Sequence, residues 1–296
     1  MRIVRVLAVM AVVLSAAACN DDNNNAQDFA VANDLSVAAT TDLAMPAGTA
    51  RVRVAHLSPN KPPIDVCIAA RGSSTFMGPL LKPAGVAATG LAYSQVTKYL
   101  DVPAGTYDVR IVDGGATSCA VSLFDSTTLP ALAAGGSYTV AGIGLIAADM
   151  GANQFTLRAY VDTATADPAN VKLRFVHASP DTPPVTVGLG SGAGFMPVFI
   201  NVSYPNFGTS TTPASDANGF ITIPPPASPP VISARLVGGT TDALTITLPV
   251  APPAGTIAST FAIGTSSGVT QNGLKVLACV DNAPATSALA TCFVLP

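Results

Sequence analysis

Residues 53–66, RVAHLSPNKPPIDV, return as residues 174–187, RFVHASPDTPPVTV, with seven of fourteen positions identical. The shared residues are Arg53/Arg174, His56/His177, Ser58/Ser179, Pro59/Pro180, Pro62/Pro183, Pro63/Pro184 and Val66/Val187. The two histidines of the chain occupy the same place in both copies. Further along, YTVAGIG (138–144) lines up with TFAIG (260–264), and FTLRAYVD (155–162) with LKVLACVD (274–281). A period of about 120 residues is too long for a solenoid and is the size of a whole domain. Copy one is placed at 49–163 and copy two at 170–296, with 164–169 as linker.

Each copy reads as strands. In ARVRVAH, Val52, Val54 and His56 point one way and Arg51, Arg53 and Ala55 the other; Leu173, Phe175 and His177 repeat this against Lys172, Arg174 and Val176. The turns SPNKPP and SPDTPP break the strand, because proline cannot donate to a ladder. IDVCIA follows as a second strand, with Ile64, Val66 and Ile68 on one face. KYLDV, a Pro103-Ala104-Gly105 turn and TYDVRIV predict a hairpin. All 17 acidic residues are Asp, none is Glu, and Lys occurs five times. Glu and Lys normally clothe helix surfaces, so the composition argues for strands and turns. The expected fold class is all-β, with each copy an antiparallel β-sandwich.

The amino-terminal end carries an address. Arg2 and Arg5 form a positive segment, Val6 to Leu14 an apolar one, and Ser15 to Ala18 supply small residues before Cys19. The apolar run is shorter than the roughly 20 residues that span a bilayer. Residues 1–18 therefore read as a signal peptide. Ala16-Ala17-Ala18-Cys19 resembles a bacterial lipobox, although Ala16 stands where Leu is usual. That resemblance implies acylation of Cys19 and cleavage before it; an ordinary secretory signal beside a chance cysteine is the alternative. Residues 19–48 read as the lipidated cysteine and a flexible tether, since NDDNNNAQD is too polar to fold.

The strand ending in H-x-S-P, the proline-broken turn, V-P-A-G-T-Y-x-V-R at Val102–Arg110 and G-x-Y-T-V at Gly136–Val140 resemble the bacterial domain-of-unknown-function 4397 family. The resemblance covers nearly all of 50–163 and, more loosely, 170–296. Copy two departs from it, with Thr186 in place of Asp65, PPPASPPVISAR (224–235) in place of PAGTYDVR, and an insertion at 203–219. The resemblance implies two tandem immunoglobulin-like sandwiches in an exported protein, lipid-anchored or attached to the cell wall. It implies no activity.

Cys67 and Cys119 fall in copy one, Cys279 and Cys292 in copy two. An exported address favours disulfides, and two cysteines per copy favour Cys67–Cys119 and Cys279–Cys292, although four cysteines allow three pairings. A thiolate metal site lacks its closely spaced ligand pairs; free thiols are the other alternative. His56 and His177 read as caps on the turns beside Ser58, Pro59, Ser179 and Pro180. A catalytic triad would need a carboxylate such as Asp65 to orient His56, and copy two has Thr186 there. GLGSGA (188–193) fits a dinucleotide fingerprint but lacks the following helix. No catalytic, cofactor-binding or metal-binding residues are expected.

Without its signal the chain has five more acidic than basic side chains and no basic cluster, so nucleic acid is not an expected partner. The expected function is that of an exported, lipid-anchored envelope protein that binds, adheres or scaffolds. Its expected partners are the membrane, through the lipid, and an envelope or extracellular protein or polymer. The alternative is a hydrolase acting on polysaccharide or cell-wall polymer through loop aspartates. The proline-rich turns and the segment 195–219 are the first candidates for a binding surface.

Overall fold

Copy one forms β1 (Thr49–His56), β2 (Ile64–Ala70), β3 (Leu100–Pro103), β4 (Tyr107–Asp113), β5 (Phe124–Ser126), β6 (Ser137–Ile143) and β7 (Thr156–Val161). Copy two forms β8 (Val171–His177), β9 (Val185–Leu189), β10 (Met196–Val202), β11 (Ile221–Ile223), β12 (Val231–Leu236), β13 (Asp242–Thr247), β14 (Ile257–Ile263), β15 (Lys275–Val280) and β16 (Cys292–Leu295). The computed structural model describes residues 48–146, 151–268, 270–284 and 286–296. The expected signal peptide, Cys19 and nearly all of the tether lie outside them. Among the described residues there is no α-helix, and the all-β fold class holds.

The four sheets run β3-β1-β6-β7 and β2-β4-β5 in copy one, and β11-β8-β14-β15-β16 and β10-β9-β12-β13 in copy two. Without β10 and β16, copy two has the same seven strands in the same order. Most pairs are antiparallel, but β1–β6 and β8–β14 are parallel. The chain passes through the other sheet between β1 and β6, which supplies the long crossover that parallel neighbours need. The predicted hairpin is corrected in the same way. β3 and β4 lie in different sheets, and the turn at Pro103–Gly105 carries the chain between them. Leu100 and Val102 thus face Tyr107 and Val109 across the sandwich interior, all bordering one apolar cavity.

Strand periodicity places the cores. Val54 joins Ile64, Val66, Val109, Ile111 and Leu157 between the two sheets of copy one. Phe175 joins Val185, Val187, Phe199 and Ile221 between those of copy two. The alternate residues on these strands do not face water. Ala55, Ala141, Ile143 and Tyr160 pack with Val176, Phe261, Ile263 and Leu277 in a third cluster that both copies build. Four sheets are therefore stacked with three cores, and the middle sheets are covered on both faces. Each fully buried Phe, Ile or Leu in that middle core contributes about 1.5–3 kcal/mol. The described residues of both copies accordingly belong to one unit.

Candidate functional site

The middle layer also buries charge. Arg53 lies opposite Thr139 on the β1–β6 pair, and Arg174 opposite Ser259 on β8–β14. Asp162 and Asp281 follow the last residues of β7 and β15. All four side chains are within 5% of complete burial. Arg53 Nη2 reaches Asp281 Oδ1 of the other copy at 2.8 Å, and its Nε lies 3.5 Å from Asp162 Oδ2. Arg174 Nη2 pairs in return with Asp162 Oδ1. The exchange is reciprocal: each arginine reaches across to the aspartate of the other copy.

Hydroxyls complete the network. Arg53 Nε donates to Thr139 Oγ1 at 2.7 Å, and the Thr139 hydroxyl donates to Asp162. Arg174 Nη2 donates to Ser259 Oγ at 2.9 Å, and Ser259 donates to Asp281 Oδ2 at 2.6 Å. Two cations and two anions sum to zero formal charge, which is what permits their burial together.

The two halves differ at one aromatic. Tyr99 donates its phenol to Asp162 at 2.8 Å, and Arg53 stacks on its ring. The counterpart stacked under Arg174 is Phe220, which has no hydroxyl to give. Burial opposes the charge of both aspartates. In Asp162 the nearby Arg174 and Arg53, with the hydrogen bonds, overcome it and hold the carboxyl below its usual range. In Asp281 burial prevails, Asp162 adds repulsion, and the carboxyl keeps its proton more readily than usual. The Arg53 guanidinium remains charged because Asp281 and Asp162 share it despite its burial. Burial first, then the charge on Asp162, pushes the Tyr99 phenol up.

A polar cleft of about 290 Å³ opens beside the network. Its walls are Arg51, Arg53, Lys98 and Tyr99 of copy one with Asp281 and Asn282 of copy two. The guanidinium of Arg51 lies 4.7 Å from the Tyr99 ring centre and that of Arg53 4.9 Å. Smaller apolar spaces of about 80 and 40 Å³ lie inside the two sandwiches and read as packing gaps.

The residues expected from the sequence fall elsewhere. His56 Nε2 meets the Pro62 carbonyl at 3.1 Å and His177 Nε2 the Pro183 carbonyl at 3.4 Å. A carbonyl can only accept, so Nε2 carries the proton in each ring. Burial lowers both imidazole pKa values below 6.5. Tyr93 and Tyr204 meet the two rings edge-on, each at 6.4 Å. Ser58 Oγ donates to the Gly144 carbonyl at 2.6 Å and Ser179 Oγ to that of Gly264 at 2.8 Å. Asp65 accepts from Val66 N at 2.7 Å and Leu81 N at 2.8 Å, fixing the 80–82 loop.

The proline turns are only partly open: Asn60, Pro62, Pro183 and Pro184 are exposed, but the residues before them are covered. Ser58, Pro59, Ser179 and Pro180 are buried, and the Pro59 carbonyl accepts from Asn272 Nδ2 of copy two at 2.5 Å. Lys61 is covered too, with Nζ 4.5 Å from the Phe155 ring centre. Segment 195–219 is more exposed at Met196 and Ile200 of β10. GLGSGA leads through a single 3-10 turn into that strand.

Disulfides join Cys67 to Cys119 and Cys279 to Cys292, the latter pair opposite one another on β15 and β16. Among the described residues no group of three His, Cys, Asp or Glu could hold a metal ion. The reading of the sequence missed Arg53, Arg174, Asp162, Asp281 and Tyr99 as a unit. Its signal was present: an arginine and an aspartate each recur at matching places in the two copies.

Fold and seam define a duplicated β-sandwich protein whose halves are fused by a core and a buried charge exchange. Residues 82–188 match the family described as Domain of unknown function (DUF4397), and the chain resembles that family. The matched segment omits β1 and β2 and contains their counterparts β8 and all but the last residue of β9, so it straddles the copies. No curated protein matches the chain.

Proposed function

We propose that this is an exported, lipid-anchored cell-envelope protein that acts by binding or scaffolding and not by catalysis. One observation carries the non-catalytic part: the recurring Ser58, Ser179, His56 and His177 are each committed to a backbone carbonyl of the fold. A nucleophile needs its hydroxyl directed at a base, and these hydroxyls point at acceptors that cannot take a proton. The basic n-region, short apolar run and Cys19 support the address.

An envelope hydrolase acting on polysaccharide or cell-wall polymer is the second reading, favoured by Asp281, a carboxyl on the cleft wall whose pKa burial raises above the usual range. Arg53 occupies that carboxyl, however, and glycoside hydrolysis takes a pair, while the neighbouring Asp162 is fully buried and not on the cleft wall. Two measurements test the proposal. The full chain expressed in a bacterium with an alkyne-tagged fatty acid should take up label, and Cys19→Ala should not. Purified full chain incubated with peptidoglycan and with acidic polysaccharide should release no soluble fragments. Fragment release that disappears in Asp281→Asn would establish the hydrolase instead.

A further inference from the structure

The two halves of the seam provide an internal comparison. Arg174 Nη1 donates to the Val161 carbonyl at 2.8 Å. Arg53 Nη1 is buried, has no hydrogen-bond partner, and belongs to a residue lining the polar cleft. Val280, the counterpart of Val161, lines that cleft as well. On the other half, Asn218 Nδ2 of the insertion donates to the Thr163 carbonyl at 3.1 Å, tying the insertion to the end of copy one. At Nη1 Arg174 is satisfied within the fold and leaves only its buried Nε without a hydrogen-bond partner, whereas Arg53 lines the cleft with its Nη1 unpartnered. A buried charged donor left without an acceptor costs more than a neutral one, and of the two arginines only Arg53 borders a cleft with room for an acceptor.

Charge decides what kind of ligand. Arg53, Arg174, Asp162 and Asp281 cancel, while Arg51 and Lys98 on the cleft wall have no acidic partner within ion-pair distance among the described residues. Counted over the cleft walls and the buried network, two positive charges are in excess; Asp101, opposite Arg51 on β3, lies off the walls. The Tyr99 ring holds both guanidinium groups of β1, which limits the side-chain freedom lost when an anion arrives. Asp281 on the same wall disfavours a dianion, and a planar carboxylate suits guanidinium donors. The cleft volume of about 290 Å³ lies at the small end for ligand sites.

We infer that the cleft between the copies binds a small carboxylate-bearing ligand of about monosaccharide size, its carboxylate meeting Arg53 Nη1 with Arg51 and Lys98 beside it. This deepens the binding reading above and rests on it. The test is calorimetric titration of the full chain in detergent with D-glucuronate, D-glucose and inorganic phosphate. Glucuronate should saturate one site with a Kd of about 1 mM or tighter. Glucose should give no saturable heat, and phosphate should bind more weakly. The double variant Arg51→Gln/Lys98→Gln should weaken glucuronate about tenfold or more at an unchanged thermal midpoint.

Glucuronate binding no better than glucose, or undiminished in the variant, would overturn the site. Preference for phosphate would overturn the carboxylate assignment. Either failure leaves the acyl-label and polymer-release results standing, so the two proposals fail separately.

Discussion

Replacing Arg174 by Met removes one member of the buried charge exchange while keeping a chain of similar length. The substitution deletes the pairing with Asp162 and the donations to Ser259 and the Val161 carbonyl. It also removes the stacking on Phe220, 4.6 Å away. Asp162 keeps Tyr99, Thr139 and an Arg53 Nε at 3.5 Å, so it is left under-compensated and not bare. Breaking a buried pair from one side costs about 3–5 kcal/mol. For a chain of this size that lowers the thermal midpoint by roughly 10 °C. The assay is urea unfolding followed by far-UV circular dichroism, with the slope compared between variants. The middle core belongs to both copies, so parent and variant should each unfold in a single transition. Arg110→Met, at the more solvent-exposed bidentate pair with Asp125, 2.8 Å apart, is the comparison; it also loses a bond to the Cys119 carbonyl and its stacking on Phe76, yet should cost clearly less than Arg174→Met because water screens the pair. A loss below about 1 kcal/mol for Arg174→Met, or separate transitions for the two copies in the parent, would refute the reasoning.

Tyr99→Phe gives copy one the aromatic that copy two already has; losing a hydrogen bond to a charged acceptor should cost about 1.5–3 kcal/mol in the same urea assay. Cys279→Ala/Cys292→Ala opens a loop whose ends are 13 residues apart, and should cost roughly 3 kcal/mol. Opening Cys67–Cys119, 52 residues apart, should cost about 4 kcal/mol. Both imidazoles titrate below 6.5 when folded, so their share of stability is complete above that pH and is lost as pH falls from 6.5 through the folded values. Asp281, raised on folding, contributes with the opposite sign, its share being lost as pH rises through its folded value. Thermal midpoints measured across this range should fall more steeply on the acid side in the parent than in His56→Gln/His177→Gln. Equal slopes would show that the histidines carry no linkage.

The strands and their inward residues were legible because one face of each follows a period of two: Val54, Ile64, Val66 and Phe175 sit in the cores their alternation assigns. The other face was harder to read. Arg53 and Ala55 follow the same alternation outward, and a polar residue on an outward face ordinarily means water. Only the partner sheet makes that face an interior, and a partner 121 positions away leaves no local trace. The β3–β4 hairpin failed for a related reason: a Pro-Ala-Gly turn reads alike whether the next strand pairs alongside or crosses to the opposite sheet. The histidines were read as turn caps, and their rings do meet the turn carbonyls. The turns were expected to be available loops, and they are so only in part: Asn60, Pro62, Pro183 and Pro184 are exposed, while Pro59 lies under Asn272. Proline content marks a break in the ladder and carries no information about what packs on it.

The reciprocity of Arg53 with Asp281 and of Arg174 with Asp162 has a further meaning. A surface on which donor meets acceptor and acceptor meets donor about one axis is self-complementary, the hallmark of an isologous homodimer. A lone ancestor of either half would carry both ends of that exchange and recognise its own twin. Covalent linkage of the twins makes the association independent of concentration, and it frees the halves to diverge. Tyr99 and Phe220 record one such divergence, at the spot where strict twofold symmetry would have forced two identical clefts.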